Sequence, residues 1–226
     1  MKNIIITGAS GNLGAATVTR FLAAGYRVLV TVSPGNPMKD SSKGEVEQFE
    51  CDLTDEKSVD AVVQKMVAKY PVIDAALLLV GGFAMGDIAA TDGASMKKMY
   101  SLNFETAYYV ARPVFQHMMG HGQGGRIVFI GARPALEAKA GKGMIAYGLS
   151  KSLLFKLSEY LNASGSSKNV VSAVIVPGTI DTPANRASMP MADFSSWATP
   201  DQIAEVMISF TSGKSVDVTN QVLKLY

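Results

Sequence analysis

The sequence predicts an α/β fold, a doubly wound and mostly parallel sheet of about seven strands with helices on both faces. Three observations predict it. Short runs rich in Ile, Val and Leu alternate with stretches of helical periodicity along the whole chain. Those runs are continuously apolar, the pattern of strands buried on both faces, where a half-exposed sheet would alternate apolar and polar residues. The first run passes through a glycine-rich turn straight into a helix. No linker divides the chain, so residues 1–226 read as one domain, with a lid around residues 183–200.

Composition narrows the function classes. Hydrophobic residues make up 48% of the 226 and charged residues 18%, which suits a soluble domain with a full core. A net charge of +2 gives no support for nucleic acid or an anionic membrane as partner. Cys51 is the single cysteine, so no internal disulfide can form. The opening apolar run is too short for a signal peptide, and the longest, residues 75–85, contains Gly81 and Gly82 and falls short of a bilayer span. A cytoplasmic protein is the expectation.

Ile4, Ile5 and Ile6 form the first strand. In the turn that follows, Gly8 permits the tight bend, Gly11 lets backbone approach a ligand, and Gly14 lets the helix pack near the strand. The helix N-terminus offers unpaired N–H groups and a positive dipole to a pyrophosphate, so Gly8, Ser10, Gly11, Asn12, Leu13 and Gly14 are candidate cofactor contacts. Val18, Phe21 and Leu22 carry the helix to a Gly25 cap. Residues 27–32 are the second strand. A carboxylate near its end would hold the adenosine ribose and repel a 2′-phosphate, but Val32 and Ser33 stand there, so the choice between NAD and NADP stays open and Ser33 is a candidate contact.

Residues 33–44 carry Pro34, Gly35, Pro37 and Gly44 and read as a loop. Residues 46–50 are the third strand. Thr54 is placed to cap the next helix, with Asp55 and Glu56 in its first turn and an apolar face of Val59, Val62, Val63, Met66 and Val67. Asp52 is either a turn residue or a hydrogen-bond acceptor for the adenine amino group. Residues 75–80 give the fourth strand and 91–119 a long helix interrupted by Pro113. Then follow a strand at 126–130, a helix at 145–161, a strand at 170–176, a helix at 201–210 and a strand at 221–225.

Tyr147 and Lys151 lie four apart on one helical face. A phenol of reference pKa about 10 acts near neutral pH when an ammonium stabilises its phenolate. The spacing alone also fits an exposed amphipathic face; position after the fifth strand, beside the glycine turn, favours chemistry. His117 and His121 have the spacing of two helical metal ligands, but Gly120 intervenes and no third ligand follows, so no metal is expected. Lys97 and Lys98 read as a solvated face, and Met96, Met99, Met118 and Met119 as core or interface filler.

TGASGNLG, CDLTD, LNFETAY, YGLSK and VPGTIDT occur in the order found in the short-chain dehydrogenase/reductase family, which the chain resembles over nearly its whole length. VGGFAMG, GARPALEAKAGKGMIAYGLSK and DTPANRASMPMADFSSW are closer to the dihydropteridine reductases within it. The resemblance implies a Rossmann fold with NADH or NADPH as cofactor. It makes Tyr147 the proton donor, Lys151 the residue that lowers its pKa and holds the nicotinamide ribose, and Asn103 the support of a water relay. Pro177, Gly178, Thr179 and Thr182 would flank the nicotinamide, Asp52 and Leu53 the adenine, and Val80, Gly81 and Gly82 the adenosine side. Residues 187–197 would form a mobile lid. Phe83 is a platform for a flat substrate ring. Trp197 either packs the lid down or touches substrate, and Arg133 is either a surface cation or meets a substrate's polar edge. The helices at 91–119 and 145–161 resemble those through which members pair, implying a homodimer or homotetramer.

The departures are specific. Asn12 replaces a common glycine, and Leu78, Leu79, Val80 and Gly81 stand where Asn-Asn-Ala-Gly is usual. Ala132, between Gly131 and Arg133, stands where most members carry a serine that holds a substrate carbonyl; dihydropteridine reductases also lack it. Three functions follow: hydride transfer to a quinonoid dihydropterin, reduction of another carbonyl, imine or quinone, or a non-catalytic NAD(P)-binding sensor. Retention of Tyr147, Lys151 and Asn103 argues against the sensor.

Overall fold

The computed structural model describes residues 1–38, 46–213 and 222–226. The later part of the loop expected at 33–44, and Gln221 at the start of the last expected strand, lie outside the described residues. In chain order the elements are β1 (Asn3–Thr7), α1 (Asn12–Ala23), β2 (Arg27–Val32), β3 (Val46–Glu50), α2 (Glu56–Lys69), β4 (Ala75–Leu78), α3 (Gly93–Tyr100), a π turn (Ser101–Glu105), α4 (Thr106–His121), β5 (Gly125–Ile130), α5 (Ala138–Gly141), α6 (Ile145–Gly165), β6 (Val170–Pro177), α7 (Pro183–Ser188), α8 (Pro200–Thr211) and β7 (Val222–Leu225).

Among the described residues these seven strands form one sheet in the order β3-β2-β1-β4-β5-β6-β7, every neighbouring pair parallel. Strand periodicity splits the core in two. Ile4, Ile6, Val30 and Val128 pack with Phe21, Ile203, Met207 and Phe210 from α1 and α8, while Ile5, Leu29, Ile127 and Phe129 pack with Met66, Val110, Val114 and Leu154 from α2, α4 and α6. Strands apolar on both faces are thereby covered on both faces. The order reverses between β1 and β4, and in such sheets ligands enter at the carboxyl ends of the strands beside that switch. No helix among the described residues is long and apolar enough to cross a membrane.

Two local expectations are corrected. The first turn of α2 is capped by Asp55, which accepts from the Lys57 N–H at 3.0 Å, and not by Thr54. Both N–H and hydroxyl of Thr54 go instead to Asp52 Oδ1, at 2.9 and 2.7 Å, because a carboxylate two residues back is the stronger acceptor. The helix expected across 91–119 breaks at the π turn, while α4 runs straight through Pro113. Val110, Ala111, Pro113 and Val114 are all buried, so packing holds α4 together despite the missing donor.

Candidate active site

The glycine turn has the shape its sequence requires. Gly8 adopts φ +69°, a conformation that side chains disfavour, and its carbonyl accepts from the Gly11 N–H at 3.1 Å. A Cβ at Gly14 would stand 2.1 Å from the Gly8 carbonyl oxygen, so only glycine fits where α1 meets the turn. At the N-terminus of α1, Gly11 provides no side-chain cap and the first turn holds no acid. Ser10, Gly11 and Asn12 are exposed there, with Leu13 partly covered. An uncapped, glycine-walled helix end is a cradle for a phosphate group. Val80 adjoins it, its Cγ2 being 3.0 Å from the position of a Gly8 Cβ.

At the other side of the crevice, Asn103 lies in the π turn with no solvent exposure. Its Oδ1 accepts from the Gly82 N–H at 2.9 Å and its Nδ2 donates to Ser150 Oγ at 3.0 Å, while Ser150 donates to the Tyr147 carbonyl at 2.9 Å. One buried amide therefore ties the segment after β4 to the first turns of α6. Such π insertions are frequent at functional sites. Lys151 is 4% exposed, and its Nζ donates to the Ile130 carbonyl at the end of β5, at 2.7 Å. Burial lowers its pKa to about 8 and raises that of Tyr147 to about 12. Desolvation by burial is the cause in both cases, and the Lys151 ammonium donates to the Ile130 carbonyl. The result is a phenol that keeps its proton at neutral pH.

Gly81 is the floor between these groups. A Cβ there would stand 2.7 Å from Asn103 Oδ1 and 2.9 Å from Lys151 Nζ. Gly81→Ala is expected to lower kcat/KM on the order of 10–100-fold through displacement of these two side chains, with an unchanged far-ultraviolet circular dichroism spectrum. Steady-state kinetics alongside that spectrum check it; an unchanged rate would count against the placement.

The chain's similarities agree with this geometry. The profile of the short chain dehydrogenase family matches residues 2–193. The chain belongs to the short chain dehydrogenase family. A dihydropteridine reductase of Dictyostelium discoideum is 29% identical over 222 residues, covering 97% of this chain and 91% of that protein. A cyclic-di-GMP-binding biofilm dispersal mediator protein of Escherichia coli is also 29% identical, over 85% of this chain and 78% of its own. The structure of ElxO with NADP bound superposes at a TM-score of 0.90 with 23% identity, covering 99% of this chain and 96% of ElxO.

As a short chain dehydrogenase the protein is an oxidoreductase with an NAD(P) cofactor, and its residues fit that group: the glycine cradle receives phosphates, and Gly81 and Gly82 keep the crevice floor clear. Ser33 is exposed at the end of β2. Asp52 already holds Thr54 through Oδ1, so the turn role is real, and these bonds keep its carboxyl below the usual range; Leu53 beside it is buried. Past β6, the Gly178 N–H donates to the Leu225 carbonyl at 3.0 Å, the Thr179 carbonyl accepts from Ala198 at 3.1 Å, and Thr182 caps α7 through the Asn185 N–H at 3.2 Å. Pro177 ends β6 itself.

The segment expected to form a lid is tied together by contacts of its own. Arg186 makes two bonds to Asp181, at 2.6 and 2.7 Å, and lies 4.6 Å over the Phe194 ring, which meets Trp197 edge-on at 4.8 Å. Trp197 is 9% exposed, which favours packing over substrate contact. Arg133 is held by Glu137 and by the ring of Tyr226. Phe83 is 62% exposed and meets the Tyr147 ring edge-on at 5.1 Å. His117 and His121 pack ring against ring at 4.9 Å, and no group of three potential metal ligands occurs among the described residues. Ser150 was not singled out in the sequence, although it lies three residues from Tyr147 on the same helix face.

Proposed function

We propose that this dehydrogenase reduces a quinonoid dihydropterin at the expense of NADH or NADPH. The observation that carries this reading is the contrast between a buried methyl at Ala132, 5% exposed, and the open aromatic face of Phe83 beside Tyr147. A planar, already electrophilic ring needs a flat platform and one proton, and it needs no second hydroxyl to polarise a carbonyl. The Dictyostelium relative's name supports the same substrate.

Bound NAD(P)H supplies a hydride. The chain's own residues do the rest. Tyr147 holds the proton that the reduced ring takes up, and Lys151, mostly ammonium at neutral pH with its pKa near 8, stabilises the phenolate left behind and holds the nicotinamide ribose. Asn103 keeps the end of β4 and the first turn of α6 in register. Pro177, Gly178, Thr179 and Thr182 flank the nicotinamide, and the 187–197 segment closes over the substrate. A dimer in the cytoplasm is the assembly that fits, with exposed Tyr108 of α4 and Leu149, Leu153 and Tyr160 of α6 as its apolar face.

The deciding assay follows NADH and NADPH oxidation with quinonoid dihydropterin and then with a panel of ketones and quinones. Turnover of ketones alone overturns the pterin reading, and tight cofactor binding without any turnover supports a sensor. Ala132→Ser is expected to change kcat on the pterin by less than about threefold, since a second donor has no carbonyl to polarise; a large gain overturns that account. With no carboxylate at Val32 or Ser33, the Kd values for NADH and NADPH are expected to lie within about tenfold of each other by fluorescence titration.

A further inference from the structure

We propose that Tyr226 is a positioning residue that sets the width of the substrate site, by bridging the loop after β5 to the loop after β6. The inference rests on the reading above that Ala132 faces substrate and Gly178 faces the nicotinamide.

The bridge is built from three side chains. Tyr226 Oη donates to Glu137 Oε1 at 3.0 Å, and Arg133 Nε donates to Glu137 Oε2 at 2.8 Å, so each carboxylate oxygen has one donor. The Arg133 guanidinium lies 4.9 Å over the Tyr226 ring, which closes the triangle. Arg133 therefore has partners within the protein, as a surface cation does. On the other side, Leu225 pairs with Pro177 in the parallel ladder and its carbonyl accepts from the Gly178 N–H at 3.0 Å. Tyr226 is the next residue, its Cβ 3.1 Å from where a Gly178 Cβ would be. Tyr226 thus adjoins the wall that follows Pro177 through its Cβ and, through its ring and hydroxyl on Arg133 and Glu137, the turn that begins at Ala132.

The cluster is poorly suited to a role in global stability. Arg133 and Glu137 keep 51% and 37% of their side-chain surface, and exposed pairs of this kind hold a fold together weakly. What an exposed but mutually satisfied triangle does well is fix a distance. Arg133 and Tyr226 keep the Glu137 carboxyl below its usual range, so the triangle stays ionic through the pH range in which a reductase works. The spacing between these two loops is the gap into which a flat acceptor must slide, and an error of an ångström in that gap is felt in the rate.

The test compares wild type with Tyr226→Ala, Tyr226→Phe and Glu137→Gln, using quinonoid dihydropterins with a small and a bulky 6-substituent. Tyr226→Ala is expected to lower kcat for the small pterin by about tenfold and to erode discrimination between the two pterins by about fivefold. The Kd for NADH, read by fluorescence, should stay within about twofold, because the phosphate cradle is remote from β7. Tyr226→Phe, which keeps the ring over Arg133, should restore most of the loss, and Glu137→Gln should fall between the two. Unchanged discrimination in Tyr226→Ala overturns the proposal, and so does a parallel fall in rate, cofactor affinity and melting temperature. If wild type turns over ketones or quinones and not pterins, the substrate reading fails while the bridge is judged on two such acceptors of different bulk. If nothing is turned over, both fail.

Discussion

Tyr147→Phe is expected to lower kcat for pterin reduction by roughly 10²–10⁴-fold, the range lost when a positioned general acid is removed. The substitution deletes one oxygen and little else. Phe keeps the ring that meets Phe83 edge-on, and the bond from Ser150 reaches the main-chain carbonyl of residue 147, which the substitution leaves in place. Burial holds the phenol near pKa 12, so wild type carries this proton at every pH where the assay runs, and the variant cannot borrow it from the side chain. Cofactor affinity should therefore persist, within about threefold, while the chemical step fails. Stopped-flow oxidation of NADPH at saturating pterin reads that step directly. A loss below about tenfold would mean that solvent supplies the proton and would remove Tyr147 from the mechanism.

Much of this site is written locally in the chain. The β-branched run at Ile4–Ile6, the spacing of Gly8, Gly11 and Gly14, and the four-residue interval from Tyr147 to Lys151 each announce their element, because each depends on neighbours within a turn or two. What the sequence hides is set by distant partners. Residues 91–119 read as one helix, since a single π turn at 101–105 leaves the apolar pattern nearly intact. The turn becomes intelligible only when Asn103 is seen meeting Gly82, 21 residues away, and Ser150, 47 away. Thr54 and Asp55 are both good caps, and the choice fell to Asp55 because Asp52 had engaged Thr54. Arg133 to Glu137 is an ordinary helical-type interval, but the Tyr226 that completes the cluster lies 89 residues beyond Glu137.

Lys151→Met is expected to separate activity from stability. Wild-type Lys151 is buried, among the described residues no carboxylate pairs with it, and it donates to the neutral carbonyl of Ile130. A buried charge without a counter-charge is unfavourable, and the lowered pKa near 8 is the measure of that penalty. The sign follows from proton counting. Between pH 8 and the ordinary lysine pKa of 10.5, the unfolded chain holds more protons than the folded one, so wild-type stability rises with pH across that window. Below pH 8 the penalty is present in full, on the order of 3 kcal/mol. Tyr147 acts in the opposite sense above pH 10, where the folded state retains a proton that the unfolded state releases, so stability falls again toward pH 12. Methionine fills much of the same volume without the charge and loses the bond to Ile130, worth about 1 kcal/mol. The variant should therefore be more stable than wild type by about 1–2 kcal/mol at pH 7, and its urea midpoint should lack the rise between pH 8 and 10. Its kcat should fall at least about 100-fold, since the phenolate left on Tyr147 loses the ammonium proposed to stabilise it. A variant less stable than wild type at pH 7, with the same pH dependence, would show that Lys151 titrates alike in the folded and unfolded chain, so that its burial carries no charge penalty. On the proposed mechanism, catalysis depends on keeping an ammonium where folding alone would exclude it, at the meeting point of Gly81, Asn103 and Ile130, so that a phenol too weakly acidic by itself can give up its proton.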